Sequence, residues 1–360
     1  MKRFLRVLTA ILLLPAVIFL PGPLITKLRK DGVSDEMYRR RESYYYGVIN
    51  LWQVDSFEGG TGSRTNWLRS VCGGFERKHT GVYVNVESVS PAMAEKLIAE
   101  GKVPDMLSFS GGVEVPSDVL RDVVSPVSLL RPDLATALTD KAVPWCMGVY
   151  LMIGQAPEQW GKDGRTVKTK KSTKTVYSVG VAEKPGFAPL KALDTAMDFS
   201  DPLAWCFGSA PAVFEAYNYA GKVNSMLGTQ RDLYRMKAAE SREKLRDGTV
   251  TLLPYSDLIQ YLSALKTGNE KKARMEEALI TYLLSADVQS RLGSVGLLPV
   301  NPEAAPVYEN ARMQSLAEKA AGTVLFCACP LFPEEKTAAE QERIRKILQK
   351  DDGREKKIIE

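Results

Sequence analysis

Hydrophobic and polar positions follow two periods along the chain, and the switches between them outline an α/β body. Residues 47–54 (GVINLWQV) carry the β-branched and aromatic side chains of a buried strand. After the turn-forming run DSFEGGTGSR, Trp67, Leu68, Val71, Cys72 and Phe75 share one helical face, which predicts a helix over 63–78. Val82, Val84 and Val86 alternate with polar residues and predict a second strand. Ser90 and Pro91 place an N-cap before a proline at the first helical position, opening a helix that Gly101 stops. Residues 104–110 (PDMLSFS) read as a third strand that ends at Gly111 and Gly112. Strand, helix, strand, helix, strand in this order predicts a parallel sheet with right-handed crossovers.

Further along, residues 143–153 (VPWCMGVYLMI) are almost continuously apolar and read as one strand. Residues 166–176 form a lysine-rich hairpin candidate with an exposed charged face, and 274–284 with Val288 and Leu292 predict an amphipathic helix pair. From Thr337 onward, Ile344, Ile347 and Leu348 stand at helical spacing in a charged tail, as in a terminal helix that frays. No internal repeat is visible.

The start of the chain follows a different pattern. A basic stretch, 1–6, precedes uncharged residues from Val7 to Thr26, but Pro15, Pro21, Gly22 and Pro23 confine the strongly helical part to Val7–Leu14. That is the length of a secretory h-region, so residues 1–30 are expected to be an export signal or a retained membrane anchor. Residues 31–46 read as a spacer. The body is then expected at the outer face of the cytoplasmic membrane or beyond it. This segment also explains the charge. The formal net charge of the 360 residues is +5, yet Lys2, Arg3, Arg6, Lys27, Arg29 and Lys30 all precede the first acid. The remainder carries 42 bases against 43 acids, which argues against a nucleic-acid partner.

With 45% hydrophobic and 25% charged residues, the composition is that of a globular chain, long enough for two lobes. Five cysteines without a C-x-x-C pair exclude a disulfide scaffold. A single histidine, His79, leaves nothing for a Ser-His-Asp triad or a His-rich metal site. His79 itself reads as a solvated helix-end residue. No cofactor is expected.

Four stretches in order resemble the solute-binding proteins of ABC importers, in the carbohydrate-type group. INLWQVDSFEGGTG is similar to the family's first strand and ligand loop, and GKVPDMLSFSGG to its glycine-x-proline-aspartate strand. AGKVNSMLGTQRDLYRM looks like the segment where a glycine-lysine turn precedes a ligand-contacting strand. ALITYLLSADVQSRLGSVGLLPV looks like the late helix, the serine-x-x-x-glutamine turn and the proline-valine exit. A lipobox cysteine is absent, the region 160–250 is short for the family, and the usual long helical tail after 310 is missing. The resemblance implies a two-lobed α/β fold of the type II binding-protein kind, with a hinge. One lobe would hold 47–147 and 259–300, the other 148–258 and 301–360, with crossings near 145–150 and 257–261. The implied function is non-enzymatic capture of a small solute, sugar or oligosaccharide, for delivery to ABC permease subunits.

Ligands of such folds sit beyond the carboxyl ends of sheet strands. Asp55, Ser56 and Glu58 follow the first strand beside glycines that admit close backbone approach, and they also suit a plain capping loop. Ser108, Ser110 and Gly111 end the third strand. Trp145 stands at the first crossing, as a stacking platform or as core. Gln230, Arg231 and Asp232 follow an apolar stretch, where polar burial is costly. Either they face the ligand or they form an internal Arg–Asp pair. Tyr255 and Asp257 are the candidates at the second crossing. Arg231 keeps a carboxylated or phosphorylated solute open. Two other readings stay open: an exported carbohydrate-active hydrolase working through two carboxylates, and a binding-protein fold repurposed as a surface sensor.

Overall fold

The computed structural model describes residues 44–56, 59–154, 167–169, 172–174, 177–182, 186–196 and 203–331. The chain divides into two compact units, Met1–Tyr46 and Gly47–Glu360. Of the first, only Tyr44 to Tyr46 are described, with the rings of Tyr44 and Tyr46 5.2 Å apart. The expected export segment and the charged helix after Thr337 lie outside the described residues.

The second unit opens with β1 (Gly47–Val54), α1 (Arg64–Lys78), β2 (Val82–Val89), α2 (Pro91–Ala99) and β3 (Met106–Phe109). Two short 3₁₀ turns follow, Val127–Leu129 and Pro132–Ala137, before β4 (Val143–Met147) and β5 (Tyr150–Gly154). Next come β6 (Val167–Thr169), β7 (Ser172–Lys174), β8 (Tyr177–Ala182), α3 (Pro189–Ala196), β9 (Leu203–Gly208) and α4 (Ala210–Asn218). The chain continues through β10 (Ser225–Thr229), α5 (Gln230–Glu240), β11 (Thr249–Leu252), β12 (Tyr255–Ser256) and β13 (Ile259–Ala264). It then forms α6 (Glu270–Leu283), α7 (Ala286–Ser290), α8 (Ala311–Ala321) and β14 (Phe326–Cys327).

These strands form two five-stranded mixed sheets. The first has the order β2-β1-β3-β13-β4 and the second β11-β5-β10-β8-β9. In the first, β1 runs parallel to β2 and β3, as the alternating strand and helix pattern dictates, and β13 enters antiparallel beside β3 and β4. In the second, β8 runs parallel to β9 and β10, while β5 runs antiparallel to β10 and β11. The lysine-rich strands β6 and β7 pair as an antiparallel ribbon.

The helices begin where the sequence supplies caps. Ser63 accepts from Asn66 N at the start of α1, Ser90 from Met93 N at α2, and Asn269 from Lys271 N and Lys272 N at α6. The buried face of α1 is Trp67, Leu68, Val71, Cys72 and Phe75 together with Arg64 and Thr65. On the opposite side of the first sheet, Trp52, Val54, Leu107 and Phe109 pack with Ala94 and Ile98 of α2. A buried carboxylate is paired near this sheet. Arg121 lies 3.0 Å from Glu276, whose carboxyl burial raises to about 7 although the guanidinium opposes the shift.

Residues 143–153 are not one strand. β4 belongs to the first sheet and β5 to the second, with Gly148 and Val149 between them. The backbone accounts for the break. Met147 exchanges both of its hydrogen bonds with Leu298, and Gly148 N donates to Leu258 O at 2.6 Å. The ladder of β4 is thus exhausted, and Tyr150 enters register with Thr229 of β10. Among the described residues, no helix is long and apolar enough to cross a membrane.

Candidate functional site

The carboxyl edge of the first sheet carries a buried polar row. Gln53 of β1 stands in register with Ser108 of β3, and Gln260 of β13 with Cys146 of β4, next to Trp145. Ser108 Oγ accepts from Trp145 Nε1 at 3.0 Å and from Gln260 Nε2 at 3.1 Å. Gln260 Nε2 also donates to Val54 O at 3.0 Å, and Gln53 Nε2 donates to Val54 O and to Asp55 Oδ1. Arg64, in the first turn of α1, closes the row with a 2.7 Å ion pair to Asp55. Beyond the strand ends, the hydroxyls of Ser56 and Ser110 are hydrogen-bonded to each other. The Trp145 ring is buried and stacks on Trp67 with centroids 5.3 Å apart. Five of the sequence candidates, Asp55, Ser56, Ser108, Ser110 and Trp145, therefore gather at one edge. Two amide oxygens there, Gln53 Oε1 and Gln260 Oε1, are buried without a hydrogen-bond partner.

Gln53, Arg64 and Gln260 belong to this row although the sequence did not single them out. The available signal was a glutamine inside each of two otherwise apolar strands, where an unpaired amide is costly to bury. Glu58 lies outside the described residues.

The second sheet presents the turn from β10 into α5. Thr229 caps the helix, and Asp232 completes a capping box by accepting from Thr229 N at 2.9 Å. Its other oxygen pairs with Arg235 Nη1 at 2.6 Å. Asp232 is buried and serves the start of the helix, whereas Arg231 is exposed. Thr229→Ala is expected to destabilise the chain by about 1 kcal/mol in chemical denaturation. Gln230 turns toward the crossing. Its Oε1 accepts from Val149 N at 3.0 Å, and its Nε2 is buried without a partner. Gly148 makes room for this amide, since a Cβ there would lie 2.7 Å from Gln230 Nε2.

On β12, the Tyr255 ring stacks with Tyr150 at 6.3 Å and with Phe326 at 6.2 Å. Asp257 accepts from Tyr150 Oη at 2.7 Å and from Ala188 N at 2.6 Å. Burial raises the Asp257 carboxyl to about 6, although these hydrogen bonds favour its charged form. The same burial, with the Asp257 charge beside it, raises the Tyr150 hydroxyl well above its ordinary value. Gly111 is buried by residues from two other places. A Cβ there would lie 2.5 Å from Gly186 O and 2.7 Å from Pro330 Cβ. The arrangement offers amides, hydroxyls and aromatic faces that suit recognition by hydrogen bonds and stacking. Among the described residues, no group of three or more His, Cys, Asp or Glu side chains could hold a metal ion.

No protein-family model matches the chain, and no curated protein matches it by sequence. Solved structures do. The GacH receptor of Streptomyces glaucescens, solved unliganded and with acarbose, is 16% identical, with 87% of this chain and 96% of that chain covered and a TM-score of 0.53. The sugar-binding protein MalE from Xanthomonas citri is 15% identical, with 85% and 93% covered and a TM-score of 0.53. The spermidine/putrescine ABC transporter substrate-binding protein PotD from Streptococcus pneumoniae is 12% identical, with 84% and 98% covered and a TM-score of 0.52. At these identities the likeness is one of architecture. The chain has the two-lobed, type II fold of solute-binding proteins, built on its two mixed sheets.

Proposed function

We propose that this chain is a solute-binding protein that captures a small solute outside the cytoplasmic membrane and passes it to an ABC importer, without making or breaking a bond. The observation that supports this reading is a polar strand end on each of the two sheets. Asp55, Ser56, Ser108 and Ser110 come from one sheet and the Thr229–Arg231 turn from the other, with Gln230 seated against Gly148. The space outside strand carboxyl ends is where ligands of open α/β sheets bind. The unpartnered acceptors Gln53 Oε1 and Gln260 Oε1 favour a solute rich in hydroxyl donors, and the reading commits to a carbohydrate. Residues 1–30 would then carry the export signal or the anchor.

A thermal-shift panel of neutral sugars, amines, and carboxylated and phosphorylated solutes tests the proposal. At a tenfold excess over Kd, the cognate sugar is expected to stabilise the protein by about 1.4 kcal/mol. Ser56→Ala should reduce that shift, read against the variant's own ligand-free melting temperature, which falls as well because the buried Ser110 hydroxyl loses its partner. A shift only with charged solutes would overturn the carbohydrate assignment. A panel with no shift at all would overturn solute binding itself.

A further inference from the structure

The chain returns to the hinge after α8, and this return is not a loose tail. Phe326 N donates to Pro254 O at 2.8 Å and Ala328 N to Ser256 O at 3.0 Å, so β14 pairs in parallel with β12. Leu325 N donates to Asp133 Oδ2 at 3.1 Å, and Thr136 Oγ1 donates to Cys327 O. Leu325 and Cys327 are buried, and the Phe326 ring covers one face of Tyr255. Two residues later the segment reaches the edge of the first sheet. Pro330 packs at Gly111, and Leu331 packs against the cluster of Trp52, Val54, Leu107 and Phe109.

At that point the two lobes touch. Gly186, at φ +78°, brings its backbone against Gly111 and Gly112, and a Cβ on Gly186 would overlap the backbone of Gly112. Phe187 lies beside the same spot, and Ala188 N is held by Asp257 of the hinge. Gly111 is therefore enclosed on one side by the Gly186–Phe187 turn of the second lobe and on another by Pro330. Gly111 and Tyr255 are both residues that the sequence offered as ligand contacts. Here the chain's own residues occupy them.

We infer that residues 325–331 form an internal strap that holds the lobes together across the hinge and occupies the solute's place at Gly111 and Tyr255. A strap seated on both the hinge strand and the first-sheet edge resists rotation about the hinge, because opening the lobes must break the β12–β14 pairing or lift Pro330 and Leu331. Closure without a solute then follows from the chain itself, and entry of a solute requires the strap to leave. The occupied-site half of this inference rests on the solute-binding reading. The mechanical half does not.

Release of the strap in the full chain tests it. Ala328→Pro removes the N–H donated to Ser256 O, and Leu331→Asp removes the apolar anchor. In the double variant, Cys327 becomes reactive to a thiol reagent, and the Ala188 amide is expected to exchange with solvent at least tenfold faster than in wild type. A reactive Cys327 with unchanged protection at Ala188 overturns the inference, since the strap would then be a surface tie with no hold on the lobes. If the variant keeps Cys327 unreactive or fails to fold, native-state hydrogen exchange of the wild-type chain in low urea decides. The Phe326, Ala328 and Ala188 amides opening together with one urea dependence support the strap, and separate openings overturn it. No solute enters either measurement, so an unsuccessful ligand screen and a failed strap are distinguishable results.

Discussion

Replacing Trp145 with alanine is expected to lower the stability of the chain by about 3–5 kcal/mol, read as a shift of the urea midpoint at unchanged slope. The indole is buried in the first lobe, and its stacking on Trp67 ties β4 to α1. Its Nε1 donates to Ser108 Oγ, which also takes the Gln260 amide, so truncation opens a cavity beside a buried hydroxyl that has lost one of its donors. Trp145→Phe separates the two contributions. The smaller ring keeps most of the packing against Trp67 and loses the hydrogen bond, for a cost of about 1–2 kcal/mol. Equal midpoints for wild type and the alanine variant would show that the ring does not pack as described. Because the ring sits within the polar row, any loss of solute affinity in Trp145→Ala has to be compared with this loss of stability before it is assigned to contact.

How much of this was legible in the sequence differs by element. The first strand, the helices over 64–78 and 91–99 and the Ser90 cap were readable, because amphipathic spacing and capping chemistry are local. The break at Gly148 was not. β4 and β5 are buried on both faces, so no polar alternation marks where one sheet ends and the other begins. Gln230 could be read as a polar residue in a costly place, but the fit of its amide against a position without a Cβ is visible only in three dimensions. Likewise, the carboxylate of Asp232 is spoken for by Thr229 N and Arg235. The pattern Thr-x-x-Asp at 229–232 was a local signal for that box. The strap is a short stretch, LFCACPL, whose partners lie some 70 to 280 residues earlier, and neither period nor motif announces such pairing.

Asp257 is expected to give the hinge a pH dependence that a neutral residue lacks. The carboxyl has an ordinary value of 3.8, and burial raises it to about 6 in the folded chain. Below 3.8 the group is protonated in both states and exacts nothing. Between 3.8 and 6 the unfolded chain gives up the proton while the folded one retains it. The native state then binds more protons, and its stability falls as pH rises, levelling off above the folded value. Across that window the loss from this one group is on the order of 3 kcal/mol. Asp257→Asn removes the titration. Its amide oxygen can still accept from Tyr150, but its NH2 cannot accept from Ala188 N, so a pH-independent cost of about 1–2 kcal/mol is expected. The informative quantity is the difference between the two pH profiles. Glu276, also raised by burial, titrates identically in both proteins and cancels. Wild type should lose stability relative to Asp257→Asn between pH 4 and pH 7 in urea titrations. Parallel profiles would mean that Asp257 is ionised in the folded chain throughout, with the Tyr150 hydroxyl and the Ala188 amide outweighing its burial. In that case the hydrogen bonds that join the second lobe to the hinge would be charge-assisted at every pH tested, and acid would weaken the crossing instead of relieving it.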